Sequence, residues 1–215
     1  MSKSPVLGYV KTRMQPYLTK KQSIKLHVTL AQYCLKQWSE AEGFSINLWI
    51  GGDVDVFRTD ILEPMNCQVL SGCSLYSQPE GDLGARMLFA VDSVLNTSEK
   101  DEENVFLVGT DCPFIDKQYL DLAAKALESS DIVLGPATDG GYVLLGMKKS
   151  HAVLFDNISW GSSAVLTQTQ SVIQKASLKS ILLPPLPDID VVEDLNHLHE
   201  CKGFECFLKK LTTKT

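Results

Sequence analysis

The 215-residue chain contains no apolar run approaching the length of a membrane span, so no transmembrane segment is expected. Its N-terminus lacks the apolar core of a signal peptide, and the expected location is cytoplasmic. The six cysteines (34, 67, 73, 112, 201 and 206) form neither a CxxC pair nor a zinc spacing, which points to reduced thiols in a cytosolic protein. Internal repeats, low-complexity tracts and linkers are also absent, so residues 1–215 are expected to form one domain. Acid is missing from the first 39 residues, which carry Lys3, Lys11, Arg13, Lys20, Lys21, Lys25 and Lys36. The rest holds all 26 acids, and the net charge is −6. An acidic chain is a poor nucleic-acid binder. A basic segment on it fits a small anion such as a nucleotide diphosphate.

What is present reads as alternating helices and strands. His27, Leu30, Ala31, Cys34, Leu35 and Trp38 recur at helical spacing within 19–40. Strands are expected at 45–50, 68–70, 105–108, 131–134, 142–147 and 181–183. Helices are expected at 56–62, 83–94, 116–129 and 164–176, and mostly helix from Val192 on. The run 99–103 reads as an exposed loop. This alternation predicts a largely parallel sheet covered on both faces, with the alternation breaking in the second half.

The most informative segment is Val105-Phe106-Leu107-Val108-Gly109-Thr110-Asp111-Cys112-Pro113. A buried strand delivers Asp111 to its carboxyl end, where open α/β sheets bind ligands. There a carboxylate either holds a hard divalent ion or caps the next helix. The loop Lys3–Arg13 combines Gly8 with Lys11 and Arg13, residues suited to backbone approach to a phosphate and its neutralisation. It lacks the GxxxxGK[ST] spacing of a Walker loop. The plain alternative is a surface loop with ordinary cations.

Three further clusters are Gln78–Met87 (Gln-Pro-Glu-Gly-Asp-Leu-Gly-Ala-Arg-Met), Thr138-Asp139-Gly140-Gly141-Tyr142, and Asp188-Ile189-Asp190 with Glu193-Asp194-Leu195. Asp82 has an N-cap reading, and Arg86 an i,i+4 pairing with it. The glycines after Asp139 suit a tight turn. Trp160 reads as a lid, a stacking group or a core residue.

Taken together and in this order, the five clusters resemble a bacterial family of glycosyltransferases with the GT-A fold. Phospholactate guanylyltransferase and molybdenum-cofactor guanylyltransferase share the layout. The resemblance runs from Lys3 to Leu195 and implies a three-layer α/β/α sandwich with a mixed, mostly parallel sheet of the nucleotide-diphospho-sugar transferase type. It implies metal-dependent glycosyl transfer from a nucleotide sugar to a small-molecule acceptor. The alternatives are nucleotidyl transfer joining an NTP to a phosphorylated acceptor with release of pyrophosphate, and nucleotide binding without catalysis.

By the same resemblance Asp111 and Asp190 would hold Mg²⁺ or Mn²⁺ near the diphosphate. Asp188 would be a turn or outer residue, and Asp194 structural. Nucleotide binding would fall to Gly8, Lys11, Arg13, Gln78, Gly81, Asp82 and Arg86. Donor and acceptor would meet Gly140, Gly141, Tyr142 and Trp160. Asp139 would hold a hydroxyl or act as base, with Lys11 and Arg13 aiding catalysis. Such families carry an apolar strand ahead of the Lys-Ser-Pro segment. Only Met1 and Ser2 precede it here, so either the first strand is very short or the true start lies upstream.

Overall fold

The computed structural model describes residues 1–65, 73–97 and 104–212. The strand expected at 68–70 and the loop at 99–103 lie outside them. The chain divides into two compact units. One comprises Met1, 78–109 and 117–186. The other comprises 2–77, 110–116 and 187–215.

In the second of these, strands β1 (Ser2–Lys3), β2 (Ile46–Gly51) and β3 (Cys73–Ser77) pair in parallel in the order β1-β2-β3. The first strand is thus two residues long, with Ser2 opposite Ile50 and Lys3 opposite Gly51. β3 was not expected from the sequence. Leu75 is its one strongly apolar residue, and its burial is patchy, as on a sheet edge.

Helix α1 (Lys20–Ser39) begins at Thr19, whose side chain and that of Gln22 cap each other's backbone N–H in a reciprocal box. The predicted face is the one that packs: Leu26, His27, Leu30, Ala31, Cys34, Leu35 and Trp38 are buried. Gln37 donates to Pro113 O and the Trp38 indole to Ile115 O, both at 2.8 Å, which ties the helix to the 110–116 segment. A core of Met14, Leu18, Leu26, Leu30, Ile189, Leu198 and Phe204 fills this unit. The helix expected at 56–62 is realised as α2 (Val54–Phe57) continued by a wide turn of π-helix over Arg58–Leu62.

The other unit carries β4 (Val105–Val108), β5 (Ile132–Pro136), β6 (Tyr142–Met147) and β7 (Ser180–Leu182) in the order β4-β6-β5-β7. β6 is antiparallel to both neighbours and β7 parallel to β5, which is where the simple alternation breaks. Every residue of β5 is buried, consistent with its near-continuous apolar run. Helices α3 (Leu83–Thr97), α4 (Lys117–Glu128) and α5 (Val165–Lys175) complete the unit. Its core includes Met87, Val91, Leu134, Leu145, Leu154, Phe155 and Ile173. No helix among the described residues is long and apolar enough to cross a membrane.

Candidate functional site

The loop after β1 is held by bonds to the 51–53 segment and by a turn of its own. Ser4 N donates to Gly51 O at 2.9 Å, Ser4 Oγ donates to Asp53 O, and Tyr9 N donates to Val6 O at 3.0 Å. Ser2 Oγ and Thr110 Oγ1 lie 2.8 Å apart and buried, which brings the strand start to the 110–116 segment. Gly8 (φ +80°) takes a left-handed conformation that glycine adopts without strain. Less expected is Lys11, a non-glycine residue with φ 47° and ψ 41°. That conformation costs about 1–2 kcal/mol for an L-residue and needs compensation.

Compensation comes from where its ammonium sits. The Lys11 side chain is only 6% exposed. Nζ donates to the carbonyl of Ile189 at 2.5 Å and stands 3.9 Å from both Asp111 Oδ2 and Asp190 Oδ1. Two such legs meeting at one nitrogen put the facing carboxylate oxygens no more than 7.8 Å apart. Arg13 donates to Asp190 Oδ2 at 2.5 Å. The four residues thus form one cluster of two carboxylates and two cations with a formal charge of zero. The Arg13 side chain is 62% exposed, so its pair contributes no more than about 1 kcal/mol.

Backbone bonds set the two aspartates. Ile189 N donates to Asp111 O at 3.0 Å, joining the two segments. Asp194 Oδ2 accepts from Asp190 N (2.8 Å) and Val191 N (2.7 Å), as a cap on the 3-10 helix Val192–Glu200. Asp194 therefore has the structural role expected of it. Next to Asp111, Cys112 Sγ donates to Pro187 O at 3.4 Å, and burial pushes its thiol up to about 12. That thiol is a packing group and no nucleophile.

The sequence pattern placed His27 on a core face but did not show its partner. Its Nε2 lies 2.7 Å from Lys3 O. A carbonyl only accepts, so Nε2 carries the proton. Burial lowers its pKa to about 4, with Lys11 and Lys3 adding to the shift and the bond to Lys3 O opposing it. The ring is neutral and anchors the strand that leads into the basic loop.

The remaining predicted residues belong to the other unit. Gly81 (φ +125°) precedes α3, and Asp82 Oδ1 accepts from Ala85 N at 2.8 Å. Asp82 is thus the N-cap, one of its two expected readings. The expected ion pair between Asp82 and Arg86 is not formed. Arg86 Nε is buried, without a hydrogen-bond partner among the described residues. Asp139 Oδ1 accepts from Gly141 N at 2.9 Å, an Asx turn between β5 and β6. Gly140 (φ +95°) allows that turn to press against Ser163, whose carbonyl would lie 2.3 Å from an added Cβ.

Tyr142 is the first residue of β6. Its ring packs against the apolar core and its hydroxyl is buried. Trp160 packs edge-on to it at 6.3 Å and against the same core, as in its core reading. Gly84 escaped the sequence reading. A Cβ there would meet Phe155 O at 2.4 Å and Trp160 Nε1 at 2.7 Å, so this position fixes how Trp160 sits on α3. A glycine in the first turn of an otherwise good helix is the signal that could have exposed it.

Residues 34–162 match the family DUF2064, "Uncharacterized protein conserved in bacteria". The chain belongs to this family. No functionally curated protein matches it in sequence. Among solved structures it is similar to a protein of Desulfovibrio desulfuricans G20 whose assignment as a nucleotide-diphospho-sugar transferase is provisional. That pair shows 27% identity and a TM-score of 0.81, covering 97% of this chain and 91% of the other. A 4-diphosphocytidyl-2C-methyl-D-erythritol synthase from Anaerococcus prevotii DSM 20548 matches with 12% identity and a TM-score of 0.57, covering 80% of this chain and 84% of that one. The manganese complex of Rv0371c from Mycobacterium tuberculosis H37Rv gives 13% identity and a TM-score of 0.53, with 93% and 95% covered. The fold of this DUF2064 chain is that of the nucleotide-diphospho-sugar transferases, as its motifs implied.

Proposed function

We propose that residues 1–215 make up one transferase domain that moves a glycosyl group from a nucleotide sugar to a small-molecule acceptor with the help of Mg²⁺ or Mn²⁺. That the chain is an enzyme of the transferase kind is supported by the nucleotide-diphospho-sugar transferase fold, its nucleotidyltransferase-like neighbours and the coverage of nearly the whole chain by its Desulfovibrio relative. The observation that carries the reading is the convergence of Lys11, Arg13, Asp111 and Asp190 from segments far apart in sequence.

The donor set suits a divalent ion. Both ligands are hard carboxylates, and Asp111 keeps 47% of its side chain open to solvent. Among the described residues no group of three or more His, Cys, Asp or Glu forms a complete metal cage. Two carboxylates suffice when phosphate and water oxygens fill the other positions, as is usual for Mg²⁺. The fold relative with manganese fits this choice. When bound, the ion supplies charge neutralisation of the departing diphosphate.

The chain's own residues do the rest. Lys11 and Arg13 neutralise the diphosphate, and the stabilisation grows as its bond to the sugar breaks. The acceptor oxygen forms the new bond to the anomeric carbon, and the nucleoside diphosphate leaves with the electron pair. Asp139 holds the acceptor hydroxyl or takes its proton. Gly8, Gln78, Gly81, Asp82 and Arg86 are assigned to the nucleotide, and Gly140, Gly141, Tyr142 and Trp160 to donor and acceptor. With its hydroxyl buried, Tyr142 contributes shape and not a hydrogen bond. The four described cysteines are free thiols, which fits a reducing compartment, and we place the protein in the cytoplasm.

Nucleotidyl transfer is the second reading, favoured by the cytidylyl-synthase neighbour. It uses the same cluster, but a phosphate oxygen of a phosphorylated acceptor forms the new bond to the α-phosphorus, the bond from that phosphorus to the α–β bridging oxygen breaks, and pyrophosphate leaves with the electron pair. A thermal-shift screen of nucleotides and nucleotide sugars, with and without Mn²⁺, tests the function. A ligand at 100 times its Kd adds about 2.7 kcal/mol to stability, well within reach of such a screen. Stabilisation by nucleotide sugars that requires Mn²⁺ supports glycosyl transfer. Stabilisation by triphosphates with release of pyrophosphate supports the second reading. No response to any nucleotide sinks both.

A further inference from the structure

We infer that Lys11 is the specificity-determining residue of this cluster: an internal cation standing between Asp111 and Asp190, so that the site takes a divalent ion and a diphosphate together and discriminates against either one alone. This rests on the proposed assignment of metal to the two aspartates and of diphosphate to Lys11 and Arg13.

The cluster as it stands is self-neutralised. Lys11 Nζ is 3.9 Å from each carboxylate, its side chain is 6% exposed, and it is anchored by the Ile189 carbonyl. It cannot drift into solvent as an ordinary surface lysine does. Arg13 occupies the remaining oxygen of Asp190. A divalent ion arriving alone meets two carboxylates whose field is cancelled by two fixed cations. A diphosphate arriving alone meets two cations whose field is cancelled by two carboxylates. Each ligand alone must break existing ion pairs and leave like charges facing one another.

Arrival of both changes the balance. The carboxylates turn to the metal, and Lys11 and Arg13 turn to the phosphate oxygens. Every charge has a partner before and after, so the exchange carries no uncompensated group. Coupling between two ligands is reciprocal: whatever factor metal adds to diphosphate affinity, diphosphate adds to metal affinity. The Lys11 side chain, buried and bonded to Ile189 O, faces inward at the start of the exchange.

The inference makes two inverted expectations, each free of metal–phosphate complexes in solution. Mn²⁺ binding without phosphate, followed by electron paramagnetic resonance of the free ion, should tighten about fivefold in Lys11→Met, because the competing cation is gone. Lys21→Met, the same charge change on an exposed helix position, should leave it unaltered. Inorganic pyrophosphate binding in EDTA, followed by calorimetry, should tighten about fivefold in Asp190→Asn, because Lys11 and Arg13 are released. Glu63→Gln is the matching control.

Melting curves report whether each variant folds. If Lys11→Met does not, the Asp190→Asn arm decides. Mn²⁺ affinity in folded Lys11→Met equal to the parent's, or pyrophosphate affinity in Asp190→Asn no better than in Glu63→Gln, overturns the internal-cation role and leaves the transferase reading standing. A parent protein that binds neither Mn²⁺ with pyrophosphate nor any nucleotide overturns both.

Discussion

The Nε2–H of His27 is bonded to the carbonyl of Lys3 at 2.7 Å, which ties the middle of α1 to the strand that opens the basic loop. Burial keeps the ring neutral, lowering its pKa from 6.5 to about 4 against the opposite pull of this bond. In the unfolded chain the same group takes a proton near pH 6.5, so between pH 6.5 and 4 the unfolded state binds more protons. The stability this histidine contributes is complete above pH 6.5 and is lost as pH falls through that window. The full loss is about 3 kcal/mol. Urea unfolding of the parent and of His27→Gln at pH 7.5 and 4.5 should show a steeper acid loss in the parent. Equal slopes would refute the assignment.

Gly84→Ala should destabilise the protein despite alanine's better helix propensity. The propensity gain is about 1 kcal/mol. The added Cβ would sit 2.4 Å from a backbone oxygen at Phe155 and 2.7 Å from the Trp160 indole nitrogen, and backbone cannot step aside as a flexible side chain can. Overpacking of this kind costs about 1–3 kcal/mol. A rise in the thermal midpoint would show that the contact yields freely.

Asp194→Ala removes the acceptor shared by Asp190 N and Val191 N. Loss of such a cap should lower the unfolding free energy by about 1 kcal/mol. Mn²⁺-dependent nucleotide binding should weaken as well, because the backbone of Asp190 is no longer pinned. Asp194→Asn keeps one acceptor oxygen and should recover most of both losses. If Asp194→Ala changes stability alone, the pin does not matter to the cluster.

Asp111→Asn and Asp139→Asn separate the two ends of the proposed reaction. Asparagine at 139 still accepts the Gly141 N–H, so the turn survives and nucleotide binding should be spared. Turnover or acceptor use should fall. Asparagine at 111 removes a charge that the proposed metal site needs. Calorimetric titration of nucleotide with Mn²⁺ should show weaker binding, and turnover should drop by about a hundredfold or more. Unchanged nucleotide binding in Asp111→Asn, with loss in Asp139→Asn, would reverse the two assignments.

Local order in this chain is legible because it depends on neighbours a turn or two away. The apolar stripe of α1 and the Asp139-Gly140-Gly141 turn follow from spacing and turn chemistry, and so does the strand 105–108, although only its Val105 is buried and the rest is half-buried. The placing of Asp111 just past a strand follows as well, and so do the candidates Lys11, Arg13 and Asp190. Their mutual commitment does not. Lys11 is held by the carbonyl of Ile189, 178 positions away, and a backbone carbonyl has no sequence signature. The Gly84 contact and the Lys3 carbonyl that accepts from His27 are equally silent, since each depends on backbone brought close by folding. The sequence by itself determined which charges and turns this protein possesses. Only the tertiary structure decided which of them neutralise one another, because Coulomb and hydrogen-bond energies depend on distances of a few ångströms that separation along the chain does not set.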